Sequence, residues 1–518
     1  MPDPSKNIEQ LQKAYELKPY DTTIILDLLA LLEETGDWPR VNELLKRLTE
    51  LEENPAVRAK YFFSIGQVFE NHLGEPLDAI ENYDKCIDSD PTLMVAFLHM
   101  ANLIRAQKKW RKLEREYSKM IKRLASRSNT SSKDLFQLWL DLGVLYHEKI
   151  RDDAKALEAY ESALGYDSSD LNIRLRMAEI QKTWEGDKQR DALHIYEEIL
   201  ELDPFNRENM TQLFKLHWEK QDYDRAWCLS ALIKSLNLKN KDADHFYDQH
   251  LPKGLTRLPR GSIDGLWRHL IVSRPEDYYL GQLFALMADI VPVLRGENER
   301  TLGILGETPQ SPHIEGPTFT SMFYYVIDTY GFSAPPLYLL PEDDSALRIS
   351  AMVVNHEVVK VVTAGHQLLR GLMEKDLAFI IGRDLIYLLP GYLLIKLLPS
   401  RSELVTLILG AIKLSNPRIS FGDNERIVNK AANQIADLIP SAVINHLSDI
   451  IRDVSDHGTI PDIDGYIDRA RLSSHRIGFL LSQNINTALE LMKAEDYGPS
   501  GLTFEAAQRE LIKFAATK

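Results

Sequence analysis

Helical period governs the first half of the chain. Apolar residues recur three and four positions apart in segments about a dozen residues long, and short polar turns separate the segments. The segment from Tyr61 carries Ile65, Gly66 and Phe69, then Ala79, Tyr83, Cys86 and Pro91 beyond a turn. The segment from Trp139 repeats the series as Leu142, Gly143 and Tyr146, then Ala156, Tyr160 and Ala163. A third version reads Ala192, Tyr196, Ile199 and Pro204. One ring position can be followed as Leu11, Leu45, Tyr83, Tyr117, Tyr160, Tyr196 and Ser230, in steps of 34, 38, 34, 43, 36 and 34 by subtraction. The longest step holds a polar insertion, Ser126 to Lys133. The shared phase predicts stacked helix pairs. Gly66, Gly143, Ala79 and Ala156 let the two helices of a pair approach, and Tyr83, Tyr160 and Tyr196 fill the space between repeats. Pro91 and Pro204 fall where a proline stops a helix. Leu11, Ala14 and Pro19 fit a second helix with no complete first helix before it.

This pattern resembles the tetratricopeptide repeat, W-x2-L-G-x2-Y followed by A-x3-F-x2-A and a proline. The resemblance implies a right-handed, all-helical superhelix over residues 1–240 whose concave face binds partner proteins. Side chains on the first helices that packing does not need are the candidate binding residues: Asn102 and Arg105 in one repeat, Asp141 and His147 in another.

The period changes further on. Residues 241–264, with Pro252, Pro259 and Gly261, read as a linker, and Asp264 is placed to cap the helix opening at Gly265. Helices are predicted from Tyr278 to Leu294 and from Gly316 to Tyr330. Pro336–Leu340, Ser350–Val354 and Glu357–Thr363 read as strands. Leu377 to Leu388 reads as a buried helix with one polar step, Arg383-Asp384, and Tyr387 a turn later. The fold class is therefore mainly α: a repeat superhelix, then a mostly helical α+β domain over 265–518 with a small β-hairpin or sheet.

Composition narrows the function. A chain of 518 residues predicts two to four domains. A net charge of −15 argues against general nucleic-acid binding and against an anionic membrane surface. Two distant cysteines, Cys86 and Cys228, exclude a disulfide framework and fit a reducing cytoplasm. No secretory signal opens the sequence. The most apolar region, 377–398, is interrupted by Arg383, Asp384, Pro390 and Lys396, which argues against integral membrane insertion. Tyr387 to Leu398 and Leu404 to Leu414 leave peripheral membrane contact as a third reading. No P-loop, Gly-x-Gly-x-x-Gly, Gly-x-Ser-x-Gly or Cys-x-x-Cys is present, and no cofactor is expected.

Two segments of the second half carry a further resemblance. Strand, strand, Val361-Val-Thr-Ala-Gly-His-Gln-Leu-Leu-Arg-Gly-Leu372, an acidic turn and an apolar helix follow in the order of the family-forty-eight zinc metallopeptidases, the group containing HtpX and BepA. There the helix bears His-Glu-x-x-His, whose imidazoles at i and i+4 share one metal beside a general-base Glu. Here those positions hold Arg383, Asp384 and Tyr387. The family's Glu-x-x-x-Asp-Arg-x-Gly reads as Arg471-Leu-Ser-Ser-His475-Arg476-Ile-Gly478, so Arg471 stands at the third ligand and His475 at the second-shell Asp. Guanidiniums do not lose their protons and repel a dication. The resemblance, over about residues 330–490, thus implies a peptidase-like frame with no catalytic residue and no metal. Asp384 is expected to pair with Arg471 or Arg383 in place of the metal. The sum is a cytoplasmic, bacterial-type scaffold protein; the alternative is a divergent hydrolase using His356, His366 or His475.

Overall fold

In the repeat half, every followed ring position after Leu11 falls on the second helix of a pair, and Leu11 falls on an unpaired helix that opens the described array. Leu11 lies on Pro4–Leu17, Leu45 on Trp38–Leu51, Tyr83 on Pro76–Ser89, and Tyr117 on Trp110–Ala125. Tyr160 lies on Asp153–Leu164, Tyr196 on Asp187–Leu202 and Ser230 on Tyr223–Ser235. The alternate helices, Thr22–Thr35, Pro55–Val68, Met94–Ala106, Ser132–Val144, Leu171–Lys182 and Arg207–Glu219, are the first helices. This computed structural model describes residues 4–127, 131–184, 187–311, 318–398, 400–438, 447–450, 462–497 and 501–517.

Glycine sets the closeness of two of these pairs. A Cβ at Gly66 would stand 2.5 Å from the Tyr83 ring, and one at Gly143 would stand 2.5 Å from the Tyr160 ring. The rings therefore press on the first helix of their own repeat, and Tyr83 also meets His99 of the next, with centroids 5.5 Å apart. Both first helices end alike. Pro55–Val68 runs into a π turn, Phe69–Leu73, and Ser132–Val144 into Leu145–Ile150. Each turn closes on a left-handed residue, Gly74 at φ 68° and Arg151 at φ 63°. Cys86 and Cys228 are free.

The chain divides into two compact units, Met1–Leu202 and Asp203–Lys518. The expected boundary at 240 thus has a competitor: the last repeat pair belongs to the second unit by packing. Residues 241–264 are not wholly a linker either. Lys241–His250 is a helix, because Asn240 Oδ1 accepts from the amides of Asp242 and Ala243, and Ala243 and Tyr247 bury one face. Its polar composition concealed it. Asp264 caps nothing; it opens a short 3₁₀ turn, Asp264–Leu266, before Trp267–Leu270.

The three expected strands form. β1 (Leu337–Leu340) pairs parallel with β3 (Glu357–Gly365), and β2 (Leu347–Val354) pairs antiparallel with β3, giving the order β1-β3-β2. The β2–β3 hairpin turns at Asn355 and His356, both at positive φ, as a two-residue loop of the primed type requires. The helix expected from Gly316 is Thr318–Tyr330, and Gly316 lies outside the described residues. Asp277–Arg295 matches the helix expected from Tyr278.

The central pair of the second unit is Glu374–Leu385 against Ile463–Ser482. Two glycines bring them together. A Cβ at Gly382 would meet Leu481 Cδ1 at 2.5 Å, and one at Gly478 would meet the Phe379 carbonyl at 2.9 Å. Tyr330, fully buried behind them, donates to the Gly382 carbonyl at 2.5 Å. Arg469, on the long helix, donates twice to Asp277, at 2.7 and 2.5 Å, and both side chains are buried. Arg476 donates to Glu510 at 2.9 Å and to the His269 carbonyl at 2.9 Å. No single described helix is long and apolar enough to cross a membrane; Glu374–Leu388 and Pro390–Leu397 reach that composition only jointly, and they meet at 105°.

Candidate functional site

The residues placed at the metal positions by sequence, Arg383, Asp384, Tyr387 and Arg471, line one cleft of about 650 Å³. Arg383 and Asp384 end the helix Glu374–Leu385, and Tyr387 lies on the 3₁₀ turn that follows it, Ile386–Leu388. Arg471 comes from Ile463–Ser482 across the cleft.

An ionic network closes its floor. Asp384, 5 % exposed, accepts from Arg383 Nη2 and from Lys396 Nζ, each at 2.9 Å. Arg383 Nη1 also donates to Glu495 at 2.6 Å. The other oxygen of Glu495 lies 3.0 Å from Nε2 of His475, which is 1 % exposed. Burial alone would raise the Asp384 carboxyl; the charges of Arg383 and Lys396 outweigh it and hold the group at about 2. Burial likewise opposes the charge on Lys396, yet Asp384 leaves the ammonium above its ordinary value. Glu495 is held below the usual carboxylate range, since His475 and Arg383 outweigh its desolvation. Tyr387 is pushed up by burial.

Of the two partners expected for Asp384, Arg471 or Arg383, the structure selects Arg383. Asp384 pairs with Arg383 and not with Arg471, because Lys396 takes its second oxygen. Arg471 instead donates to the Asp496 carbonyl at 3.4 Å and lies 5.2 Å from the centre of the Tyr497 ring. Lys396 and Glu495 were missed as members of the site. Lys396 had a readable signal, as a lone cation in an apolar run twelve residues after a lone buried anion. Glu495 had none, being 112 positions from Arg383.

The three histidines of the hydrolase reading separate. His356 is the exposed hairpin tip. His366 faces Asp344 at 3.1 Å. Of the three, His475 alone reaches the network, through Glu495. Among the described residues no three His, Cys, Asp or Glu side chains converge in a way that suits a metal ion. The donor set agrees, since both buried carboxylates of the network are already bound by cations.

In the repeat unit, three of the four candidate binding residues share one network. Arg105 donates to Asn102 at 2.7 Å and to the Tyr117 hydroxyl at 3.3 Å, and that hydroxyl donates to Asp141 at 3.3 Å. Gln137 donates to the other Asp141 oxygen at 2.9 Å. His147 stands apart, 2.8 Å from Asp153. On Met94–Ala106 the residues Val95, Leu98, Asn102 and Arg105 fall three, four and three apart and so share one face. Val95 and Leu98 are 44 % and 49 % exposed.

No protein-family model matches the chain, and no curated protein matches it. Solved structures do. The C-terminal part of a TPR repeat-containing protein from Cytophaga hutchinsonii is 17 % identical, over 47 % of this chain and 94 % of that one, with a TM-score of 0.29. YrrB, described as a TPR protein with an unusual peptide-binding site, is 15 % identical over 39 % and 96 %, with a TM-score of 0.27. PilF of Pseudomonas aeruginosa is 17 % identical over 47 % and 99 %, with a TM-score of 0.24. The repeat reading of this chain rests on its own helix pairing and glycine–tyrosine packing.

Proposed function

We propose that the protein is a cytoplasmic interaction scaffold whose repeat unit binds a partner polypeptide on the first-helix side. The observation that carries this reading is the single face of Met94–Ala106, where exposed Val95 and Leu98 adjoin Asn102 and Arg105. Exposed apolar side chains beside an ordered amide and guanidinium suit a peptide: the apolar pair takes side chains, and the polar pair takes main chain or carboxylate. Tyr117 and Asp141 fix the rotamer of Arg105 in advance, which lowers the entropy lost on binding. A displayed peptide library selected on the full chain tests this. Selected peptides should lose about ten-fold or more in affinity when Asn102, Arg105 and Asp141 are replaced together by Ala, with an unchanged thermal midpoint. Equal affinity for parent and triple variant would reject the assigned face.

We further propose that the second unit keeps a peptidase-like frame and no peptidase chemistry. Support comes from the cleft: residues from both resembling segments line it, and an ionic network lies where the resemblance would put a metal. The combined change Arg383→His, Asp384→Glu, Tyr387→His and Arg471→Glu tests the frame, since it should confer stoichiometric zinc binding that the parent lacks.

A further inference from the structure

One cation of the second unit's cleft makes no ion pair among the described residues. Its described lining holds four cations, Arg383, Lys396, Arg401 and Arg471, against three anions, Asp384, Glu495 and Asp496. Three of the cations are spoken for. Arg383 and Lys396 share Asp384, and Arg383 also holds Glu495. Arg401 turns to Asp464 at 2.5 Å and Asp468 at 3.4 Å. Arg471 meets no carboxylate among the described residues; a carbonyl at 3.4 Å and the Tyr497 ring are its recorded contacts. A guanidinium has five donors and stays charged, so most of its hydrogen-bonding capacity points at the cleft or at water.

The rest of the wall says what accompanies the charge. Ser400 and Ser402 add hydroxyls at the start of the helix Arg401–Ser415. Ile395, Leu398, Leu404 and Ile467 add an apolar stretch of wall, beside the hydroxyl-bearing Tyr387, Ser474 and Tyr497. A cleft of about 650 Å³ lies in the range that encloses a small organic molecule.

We propose that this cleft binds a small amphipathic anion, with its carboxylate or phosphate head on Arg471 and its apolar body against Ile395, Leu398, Leu404 and Ile467. Asp384 and Glu495 do not repel the head, because Arg383 and Lys396 neutralise them at contact distance; Asp496, the third anion of the lining, is the one the head must avoid, and it presents its backbone carbonyl to Arg471. Arg471 is a binding residue only; no bond of the ligand is broken. The proposal stands on the charge and lining of the cleft, independently of the peptidase frame. Failure of the four-residue zinc graft would overturn the frame and leave this site intact.

Titration calorimetry of the full chain with octanoate, octyl phosphate and neutral octanol, each below its micellar concentration, tests the site. Either anion, or both, should bind saturably at one site and at least about ten-fold more tightly than octanol, as expected of charge-assisted hydrogen bonds. The stronger of the two identifies the head group. Arg471→Ala should weaken the anion about ten- to hundred-fold, and Arg471→Lys should restore part of the loss. Arg471 is half-buried and pairs with no acid among the described residues, so the Ala variant should keep the parent melting curve. Ser402→Trp, which fills the cleft from an exposed rim position, supplies a second variant and should abolish binding. Equal affinity for octanol, undiminished binding in both variants, or no saturable binding of either anion would overturn the proposal.

Discussion

Replacing Asp384 by Asn removes one charge from the floor of the cleft and nearly preserves its shape. Asp384 accepts from Arg383 and Lys396 at 2.9 Å each and is 5 % exposed. Arg383 would keep Glu495, but Lys396 would keep no carboxylate among the described residues. Removing one partner from a buried pair costs about 3–5 kcal/mol, chiefly because the other charge stays buried. For a unit of this size each kcal/mol moves the midpoint by about 2 °C, so the second unit should melt about 6–10 °C lower. A pH dependence follows from the same contacts. A carboxylate held at about 2, against an ordinary 3.8, adds stability above pH 3.8 that is lost as pH falls through about 2. By pH 2.5 the loss amounts to about 1.5 kcal/mol of a full ~2.5 kcal/mol in the parent, and it is absent from the Asn variant. Guanidinium unfolding of the full chain at pH 7 and at pH 2.5 measures both. Adding Lys396→Met should recover part of the loss, because it removes the orphaned ammonium. If Asp384→Asn lies within about 0.5 kcal/mol of the parent at pH 7, the network is open to water and worth only what exposed pairs are worth.

Three further outcomes can be stated. Asp277→Ala should destabilise the second unit by about 2–4 kcal/mol, because it strips buried Arg469 of its two short charge-assisted hydrogen bonds and leaves it Asp462 at 3.3 Å; a loss under about 1 kcal/mol in chemical unfolding would contradict the burial of that pair. Gly143→Ala should cost about 1–3 kcal/mol despite the better helix propensity of Ala, and Tyr160→Leu should suppress part of that cost in a double-mutant cycle. Arg151→Gly should raise the melting point of the repeat unit by the equivalent of about 1 kcal/mol, since Arg151 holds φ 63° without a glycine's freedom; calorimetry showing no gain would mean that the Arg side chain compensates.

What the sequence revealed depended on range. The repeat helices were legible because each is specified within about fourteen residues by period, small residues and a closing proline, as Ile65, Gly66, Tyr83 and Pro91 illustrate. The strands were legible from alternation; the two-residue turn at Asn355 and His356 that joins β2 to β3 was found only in the structure. The helix at Lys241–His250 was hidden, because a polar segment with two buried residues gives almost no periodic signal. The cleft divided along the same line. Arg383, Asp384, Tyr387 and Arg471 were placed together by two local patterns. Their true partners were chosen by tertiary packing: Lys396 past a proline-bounded turn, and Glu495 beyond the next helix.

The matched π turns have a consequence for engineering the array. Gly66 and Gly143, Tyr83 and Tyr160, and the left-handed Gly74 and Arg151 are all separated by 77 positions. The repeat between them, built on Met94–Ala106 and Trp110–Ala125, has no such turn among its described residues. The interchangeable module of this stretch is thus two helix pairs long. Cutting and rejoining at Gly74 and Arg151 would join backbones already in the same conformation, whereas a cut one repeat long would join a widened helix end to an ordinary one. Shortened or lengthened versions of the array should therefore be built in whole 77-residue blocks.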